Sequence, residues 1–240
     1  MKQTELEVEL TRYLALVEIE PSPGEISLLA HHIELVLDAN QRVNLTRIVD
    51  PHDAVRLHTA DSLTVLEDLA LAPEGPLLDL GAGAGFPGIP LAICSTRDVL
   101  LIDSVSKKVR ELSAMINALK LSDRVRAASE RAEALGRENP AEYAVITARA
   151  VSELPALVEL ASPLLVPDGR LICLKGSPEE SEVSRAAEVA KIVGLRLDYQ
   201  RSLDLPEGVG HRTVLCYRKV GGSRVPLPRR EGMAQHSPLV

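Results

Sequence analysis

Leu77-Leu78-Asp79-Leu80-Gly81-Ala82-Gly83-Ala84-Gly85-Phe86-Pro87-Gly88 is the stretch on which the reading of this chain turns. A short apolar strand runs into a glycine-dense turn, and residues 89–95 then carry a helical pattern. Glycine supplies the positive φ that such a turn needs and lets a ligand approach the backbone closely. The next strand-like run, Val99-Leu100-Leu101-Ile102-Asp103, ends on an acid 22 residues after Gly81. A carboxylate at that place can accept hydrogen bonds from ribose hydroxyls. Loop and acid together indicate a cofactor that contains adenosine.

The same rhythm extends downstream. Residues 125–128, 143–147 and 170–174 are strand-like, and helical patterns fall at 107–119, 153–165 and 179–193. Near-continuous apolar strands alternating with helices predict an α/β fold, a Rossmann-like and mostly parallel sheet covered on both faces. The last two runs, 195–199 and 213–217, are separated by a loop placed at 203–212, too short for a crossover helix, so the final strand is expected to be antiparallel. Upstream, residues 5–19 repeat apolar residues at Leu6, Leu10, Tyr13, Leu14 and Val17, a helical stripe. Ser22, Pro23 and Glu25 have capping-box spacing for a second helix running to about Asn40, and Asp50-Pro51 opens a third, to about Leu69. The expected organisation is a helical N-terminal segment over 1–72, a catalytic α/β domain over 73–220, and a Gly-, Pro-, Ser- and Arg-rich tail over 221–240 that reads as disordered.

Composition narrows the function. The chain has 240 residues and 45% apolar content, enough for a sizeable core. Aromatics are scarce, with one Phe, four Tyr and no Trp, which argues against a nucleic-acid module built on stacked bases. The net charge of −7 argues against a protein that coats nucleic acid by bulk charge. The acidity is local: residues 1–75 hold 14 acids and 5 bases, whereas residues 76–220 hold 19 of each. Cys94, Cys173 and Cys216 lie far apart without metal-ligand spacing and read as reduced core residues, and no metal is expected. No apolar run approaches membrane-spanning length and Met1-Lys2-Gln3 begins no signal peptide, so the protein is expected in the cytoplasm.

Several cofactors share glycine-rich loops. Gly83 to Gly88 fits GxxxxG, but Ile89 and Pro90 stand where a nucleotide triphosphatase needs Lys and Ser or Thr. GxGxxG can also be read from Gly83, which keeps a nicotinamide dehydrogenase in view, although no Tyr is followed four residues later by Lys. Asp79, two residues before Gly81, is more telling, because a carboxylate there is ill suited to a pyrophosphate and well suited to a cationic ligand. An acid at the strand end followed by Gly-x-Gly-x-Gly resembles motif I of class I S-adenosylmethionine methyltransferases. In that family the acid lies near the cationic methionine end of the cofactor.

The resemblance tightens when the chain is taken whole. Asn44-Leu45-Thr46, Asp50-Pro51, His58, Asp61-Ser62-Leu63, the loop 81–90, Asp103-Ser104, Lys107-Lys108-Val109-Arg110, Ala148-Arg149-Ala150 and Leu174-Lys175-Gly176 follow one another in order. This ordered set is similar to the glucose-inhibited division protein B group, the 16S ribosomal RNA guanine-N7 methyltransferases. The resemblance runs from about residue 40 to 218. It implies S-adenosyl-L-methionine as cofactor, held by Asp79, Gly81, Gly83, Gly85, Phe86, Asp103, Ser104, Ala132, Glu133 and Arg149. Arg149 and Lys175 are expected at the site of methyl transfer. The implied partner is 16S ribosomal RNA within the small subunit or an assembly intermediate. The chain departs from the group at Phe86, where Leu is usual, at Thr59-Ala60, where Ile-Leu is common, and at Ser106-Lys107-Lys108, where Gly-Lys-Arg is frequent. A methyltransferase for another RNA base or a small molecule, and a cofactor-binding protein without catalysis, stay open as alternatives.

The residues that are missing agree with the chemistry. The Asn/Asp-Pro-Pro-aromatic clamp of exocyclic-amine methyltransferases is replaced by Thr147-Ala148-Arg149-Ala150, and no Pro-Cys pair supplies a cytosine nucleophile. Guanine N7 carries an in-plane lone pair, so holding it in line with the methyl group is the main task. The product base is cationic, which assigns Arg149 to cofactor or phosphate contact rather than to activation of the base. His58, Asp61 and Ser62 share a helix face and suit either the rim of the cleft or a polar network between the helices and the sheet. Lys107, Lys108 and Arg110 suit phosphate contact or a solvated face. His211 and Arg212 suit a turn or RNA contact. Arg229 and Arg230 read as solubilising, and Glu179, Glu180 and Glu182 as a solvated helix face.

Overall fold

Four buried residues of one stripe, Leu6, Leu10, Tyr13 and Leu14, seat helix α1 (Gln3–Leu16) against α2 (Pro23–Asn40) in the computed structural model, which describes residues 3–240. Met1 and Lys2 lie outside the described residues. The capping box is present: the Glu25 amide donates to Ser22 Oγ at 3.3 Å, and the Ser22 amide donates to Glu25 Oε2 at 2.6 Å. Asp50 caps α3 (Pro51–Ala54) by accepting from the amides of His52 and Asp53.

The third helix is not the continuous element expected over 51–69. It widens into a π-helical turn at Val55–Ala60, resumes as α4 (Asp61–Leu63), and after a break ends as α5 (Leu66–Ala70). A π turn accommodates one extra residue per turn and re-aims the side chains that follow. Here it buries Val55, His58, Thr59 and Ala60 together against the rest of the molecule.

The α/β part follows as β1 (Leu77–Leu80), α6 (Gly88–Ile93), β2 (Val99–Asp103), α7 (Ser106–Ala118), β3 (Val125–Ser129), α8 (Ala132–Glu138), β4 (Tyr143–Arg149), α9 (Leu154–Ala161), β5 (Leu165–Lys175), α10 (Glu180–Val193), β6 (Leu195–Leu205) and β7 (Gly210–Lys219). The seven strands lie in the order β3-β2-β1-β4-β5-β7-β6. β3, β2, β1, β4 and β5 are parallel, and β7 runs antiparallel to both β5 and β6. Strand order reverses between β1 and β4, so the carboxyl ends of those two strands splay around a crevice where open α/β sheets bind ligands. Alternate side chains feed two cores. One joins α1, α2, α6 and α7 to the sheet, and the other joins α8, α9 and α10 to its opposite face.

Three local elements differ from the sequence pattern. α8 falls outside the helical patterns read from the sequence, because seven residues containing Gly136 show too little periodicity to signal a helix. The helix expected over 153–165 stops at Ala161; residues 162–164 form a turn, and Leu165 already begins β5. The loop expected over 203–212 is mostly hairpin: β6 and β7 stay paired to Leu205 and Gly210, leaving four residues for the turn.

The tail read as disordered is instead packed. The Arg224 amide donates to Ile192 O at 2.8 Å, and Arg229 makes two bonds to the buried Glu159 carboxylate at 2.7 and 2.6 Å. Ala234, in the short helix α11 (Met233–His236), joins the second core. Composition counts the many polar residues, whereas a few buried anchors hold the segment. At the other end of the chain, Ser22→Ala removes an N-cap and is expected to lower the unfolding free energy in urea by about 1 kcal/mol. An unchanged midpoint would show that the capping box does not hold α2.

Candidate active site

A cleft of about 690 Å³ opens at the carboxyl ends of β1, β2 and β4, roofed by the π turn and α4. Its volume suits a small-molecule cofactor. The glycine loop forms the near wall: Gly81, Ala82, Gly83, Ala84 and Phe86 line it. The amides of Gly81 and Ala82 both donate to Ile102 O at 2.9 Å, which ties the loop to β2. At Gly83, with φ +58°, an added Cβ would meet only Gly81 O at 3.9 Å, so backbone is presented directly to whatever fills the cleft. Gly85 instead turns inward against Ile89 and His32.

Asp79 lies beneath the loop, fully buried and outside the cleft lining, contrary to the expectation that it faces the cofactor. Its Oδ2 accepts from the Gly88 amide and its Oδ1 from the Thr147 hydroxyl, both at 2.9 Å. Burial pushes its pKa up to about 6 against these donors. A Cβ on Gly88 would lie 2.7 Å from Asp79 Oδ2, so glycine is what allows this contact. Asp79 thus positions the loop from below. Asp103 does face the cleft. Its Oδ2 accepts from the Gly83 amide at 3.1 Å and its Oδ1 from the Val105 amide at 2.8 Å, leaving one lone pair on each oxygen for hydroxyls. Lys108 Nζ stands 4.0 Å from Oδ2, whereas Lys107 and Arg110 are exposed. Ser104, Ala132 and Glu133 line the far end of the same cleft.

Phe86, also on the cleft wall, packs against two imidazoles. His58 stacks on it at 4.5 Å between ring centroids, and His32 lies tilted at 4.6 Å. Burial, reinforced by Arg149, holds His58 down to about pKa 3, so its ring is neutral. Arg149 Nη2 lies 3.0 Å from His58 Nδ1, and a guanidinium only donates. Nδ1 is therefore the acceptor, and the Nε2 proton goes to Thr46 Oγ1 at 2.8 Å. Thr46 is held in turn by Asn40, whose Oδ1 accepts from the amides of Leu45 and Thr46. Arg149 Nη1 donates to Leu57 O and to Asp61 Oδ2, both at 3.0 Å, and Arg212 Nε donates to Asp61 Oδ1 at 2.7 Å.

The two sequence alternatives for this face therefore both describe it, since His58 and Asp61 line the cleft and also bind the helices to β4 and β7. Ser62 does not reach the cleft; its hydroxyl donates to His58 O at 2.6 Å. Lys175 lines the cleft, but its ammonium is bound by Ser152 O at 2.9 Å and Glu182 Oε1 at 2.7 Å. Glu182 also accepts from the Leu154 amide, so it is an internal clasp rather than part of a solvated face. His32 and Asn40 were missed by the sequence reading. Asn40 ends a helix four residues before Asn44-Leu45-Thr46, a capping position that signals such a turn, whereas nothing in the sequence marks His32 as buried.

These residues fit S-adenosylmethionine. Asp103 has free lone pairs for ribose hydroxyls, Gly83 offers open backbone, and Asp61 with Arg149 and Arg212 leaves one uncompensated positive charge for a carboxylate or phosphate. Among the described residues no cluster of His, Cys, Asp and Glu could hold a metal, and no helix is long and apolar enough to cross a membrane.

A family model described as rRNA small subunit methyltransferase G matches residues 25–203. The chain is 36% identical over 234 residues to the ribosomal RNA small subunit methyltransferase G of Symbiobacterium thermophilum, covering 94% of this chain and 95% of the relative. It is 30% identical to the protein of that name from Bacillus subtilis, covering 96% and 98%. Solved structures share the fold at lower identity. A geranyl diphosphate methyltransferase complexed with its diphosphate and sinefungin superposes with a TM-score of 0.57 at 16% identity, covering 77% of this chain and 85% of that one. A geranyl diphosphate C-methyltransferase from Streptomyces coelicolor superposes with a TM-score of 0.52 at 13% identity, covering 67% and 79%.

His32 yields a pH prediction. Both ring nitrogens are buried without a hydrogen-bond partner among the described residues, and burial holds the pKa down to about 3. In the unfolded chain the imidazole takes a proton below about pH 6.5, while the folded one stays neutral. Its contribution to stability is therefore complete above that pH and lost as pH falls. Between pH 7.5 and pH 5 the wild type is expected to lose about 2 kcal/mol more unfolding free energy than His32→Leu. Equal losses in urea titrations would show that His32 does not contribute to the acid lability.

Proposed function

The chain belongs to the rRNA small subunit methyltransferase G family, and from that premise we propose that it methylates N7 of one guanine in 16S ribosomal RNA, using S-adenosylmethionine. The observation that carries the reading of the chemistry is the state of the bases beside Arg149. His58 is neutral with both nitrogens engaged, and both oxygens of Asp61 are held by arginines. A nucleophile that had to lose a proton first would find no open nitrogen on His58 and would have to compete with a guanidinium at each oxygen of Asp61. N7 of guanine needs none, because its lone pair is already in the ring plane.

S-adenosylmethionine, when bound, supplies a methyl group made electrophilic by a sulfonium. The chain's own residues do the rest by position. Asp103 accepts from the ribose hydroxyls, with Ser104, Ala132 and Glu133 toward the adenine. Gly81, Gly83 and Phe86 form the wall at the methionine end, while Asp79 and Gly85 set that wall from behind. Arg149, pinned by Leu57, His58 and Asp61, cannot swing onto the base and instead directs its charge to a carboxylate or phosphate. Lys175 completes the wall without acting in the chemistry, since its ammonium is shared by Ser152 and Glu182. The flanking cations Lys107, Lys108 and Arg110 on α7 are the charges that would meet RNA phosphates.

The net charge of −7 and the scarcity of aromatics favour a folded, protein-bearing RNA surface as substrate over naked RNA. That substrate places the enzyme in the cytoplasm, on the small subunit or an assembly intermediate. Tritiated methyl transfer to undermethylated small subunits, naked 16S RNA, large subunits and free nucleotides tests this. The expected result is label at one guanine of the small subunit, located by strand scission specific for N7-methylguanine, with naked RNA a poorer substrate. Label in another base or in protein would contradict it, as would equal labelling of every RNA offered.

A further inference from the structure

The C-terminal segment reaches the cofactor cleft. After β7 the chain crosses α10 and α9, where Pro228 packs so close to Gly136 of α8 that a Cβ there would lie 3.0 Å from its ring. Two clasps then fix it. Arg229 bonds both oxygens of Glu159, a carboxylate only 3% exposed, and also donates to Ser237 O at 2.8 Å. The Gly232 amide donates to Glu133 Oε1 at 2.8 Å. Gly232 itself has φ +77°, and the turn it makes leads directly into α11. Ala234 of that helix is buried in the core, and its neighbour Gln235 lines the cleft at the end that holds Ser104, Ala132 and Glu133.

We propose that residues 223–240 form a strap belonging to the cofactor site, and that the Gln235 side-chain amide is a recognition group for the adenine. Gln235 is exposed, and among the described residues its amide has no partner. An amide offers one acceptor and two donors, which complement an edge that carries an amino donor beside ring-nitrogen acceptors. The clasps give that side chain a fixed base, so a contact to the cofactor is made without first ordering a loose tail. Glu133 links the two parts: one of its oxygens holds the strap, and its own place is on the cleft wall.

The test is calorimetric and needs no turnover. Binding of S-adenosylhomocysteine and of S-inosylhomocysteine, which has a carbonyl in place of the adenine amino group, is measured on the wild type, Gln235→Ala, and a chain ending at Gly222. Gln235→Ala is expected to weaken S-adenosylhomocysteine about five- to tenfold and to reduce the preference for adenine, with the melting temperature of the free protein unchanged. The shortened chain is expected to weaken binding at least as much. Because truncation also leaves the Glu159 carboxylate buried without its partner, the point variant decides. Binding by Gln235→Ala within twofold of wild type, with the adenine preference intact, overturns the proposal. The proposal rests on the cofactor reading above. A wild type that binds neither ligand overturns both, whereas wild-type binding with an unaffected point variant overturns the strap alone.

Discussion

One carboxylate, that of Asp61, joins the three parts of the molecule that make the cleft. It sits at the start of α4, accepts from Arg149 at the end of β4 and from Arg212 near the start of β7, and is itself buried. Taking such a charge out of water costs several kcal/mol, and only well-formed partners offset that cost. Both oxygens are used, so removing either arginine leaves a buried charge short of partners. The consequence is rigidity where the chemistry needs it. Arg149 lies 5.5 Å over the Phe86 ring and is held on three sides, and His58 is fixed in one tautomer by the same guanidinium.

A second buried carboxylate sets the opposite wall. Asp79 accepts from Thr147 on the neighbouring strand and from the first amide of α6, so the glycine loop is stretched between two elements the sheet already holds in register. That register places Leu80 beside both Ile102 and Ala148, which brings Asp103 and Arg149 to the two sides of the loop. The cleft is therefore assembled by the sheet and locked by buried polar pairs. The side chains that line it contribute contacts and charge to a geometry already made.

Much of this was legible in the chain. The strand-loop-helix at 77–95 and the acid at Asp103 were readable because their physics is local: alternation, glycine and a strand end. The antiparallel finish followed from a connection too short to cross over. What was not legible depends on long-range contact. Asp79 looks from sequence like a ligand for a cation, and only its burial, with Gly88 and Thr147 as donors, shows that it supports the loop. Glu182 and Arg229 look like ordinary surface charges until Lys175 and Glu159 are seen opposite them. The π turn at 55–60 has no period of its own to betray it, yet it aims His58 and Asp61 at one arginine.

The dependence of the cleft on Asp61 is open to direct measurement by a double-mutant cycle on unfolding free energy, using Asp61→Asn, Arg149→Gln and the double variant. If the pair locks the helices to the sheet, the coupling energy should be about 2 kcal/mol, with the double variant more stable than the two single losses added together. A coupling below about 0.5 kcal/mol would mean the two sites act independently, and the cleft would have to be held together by something other than this ion pair.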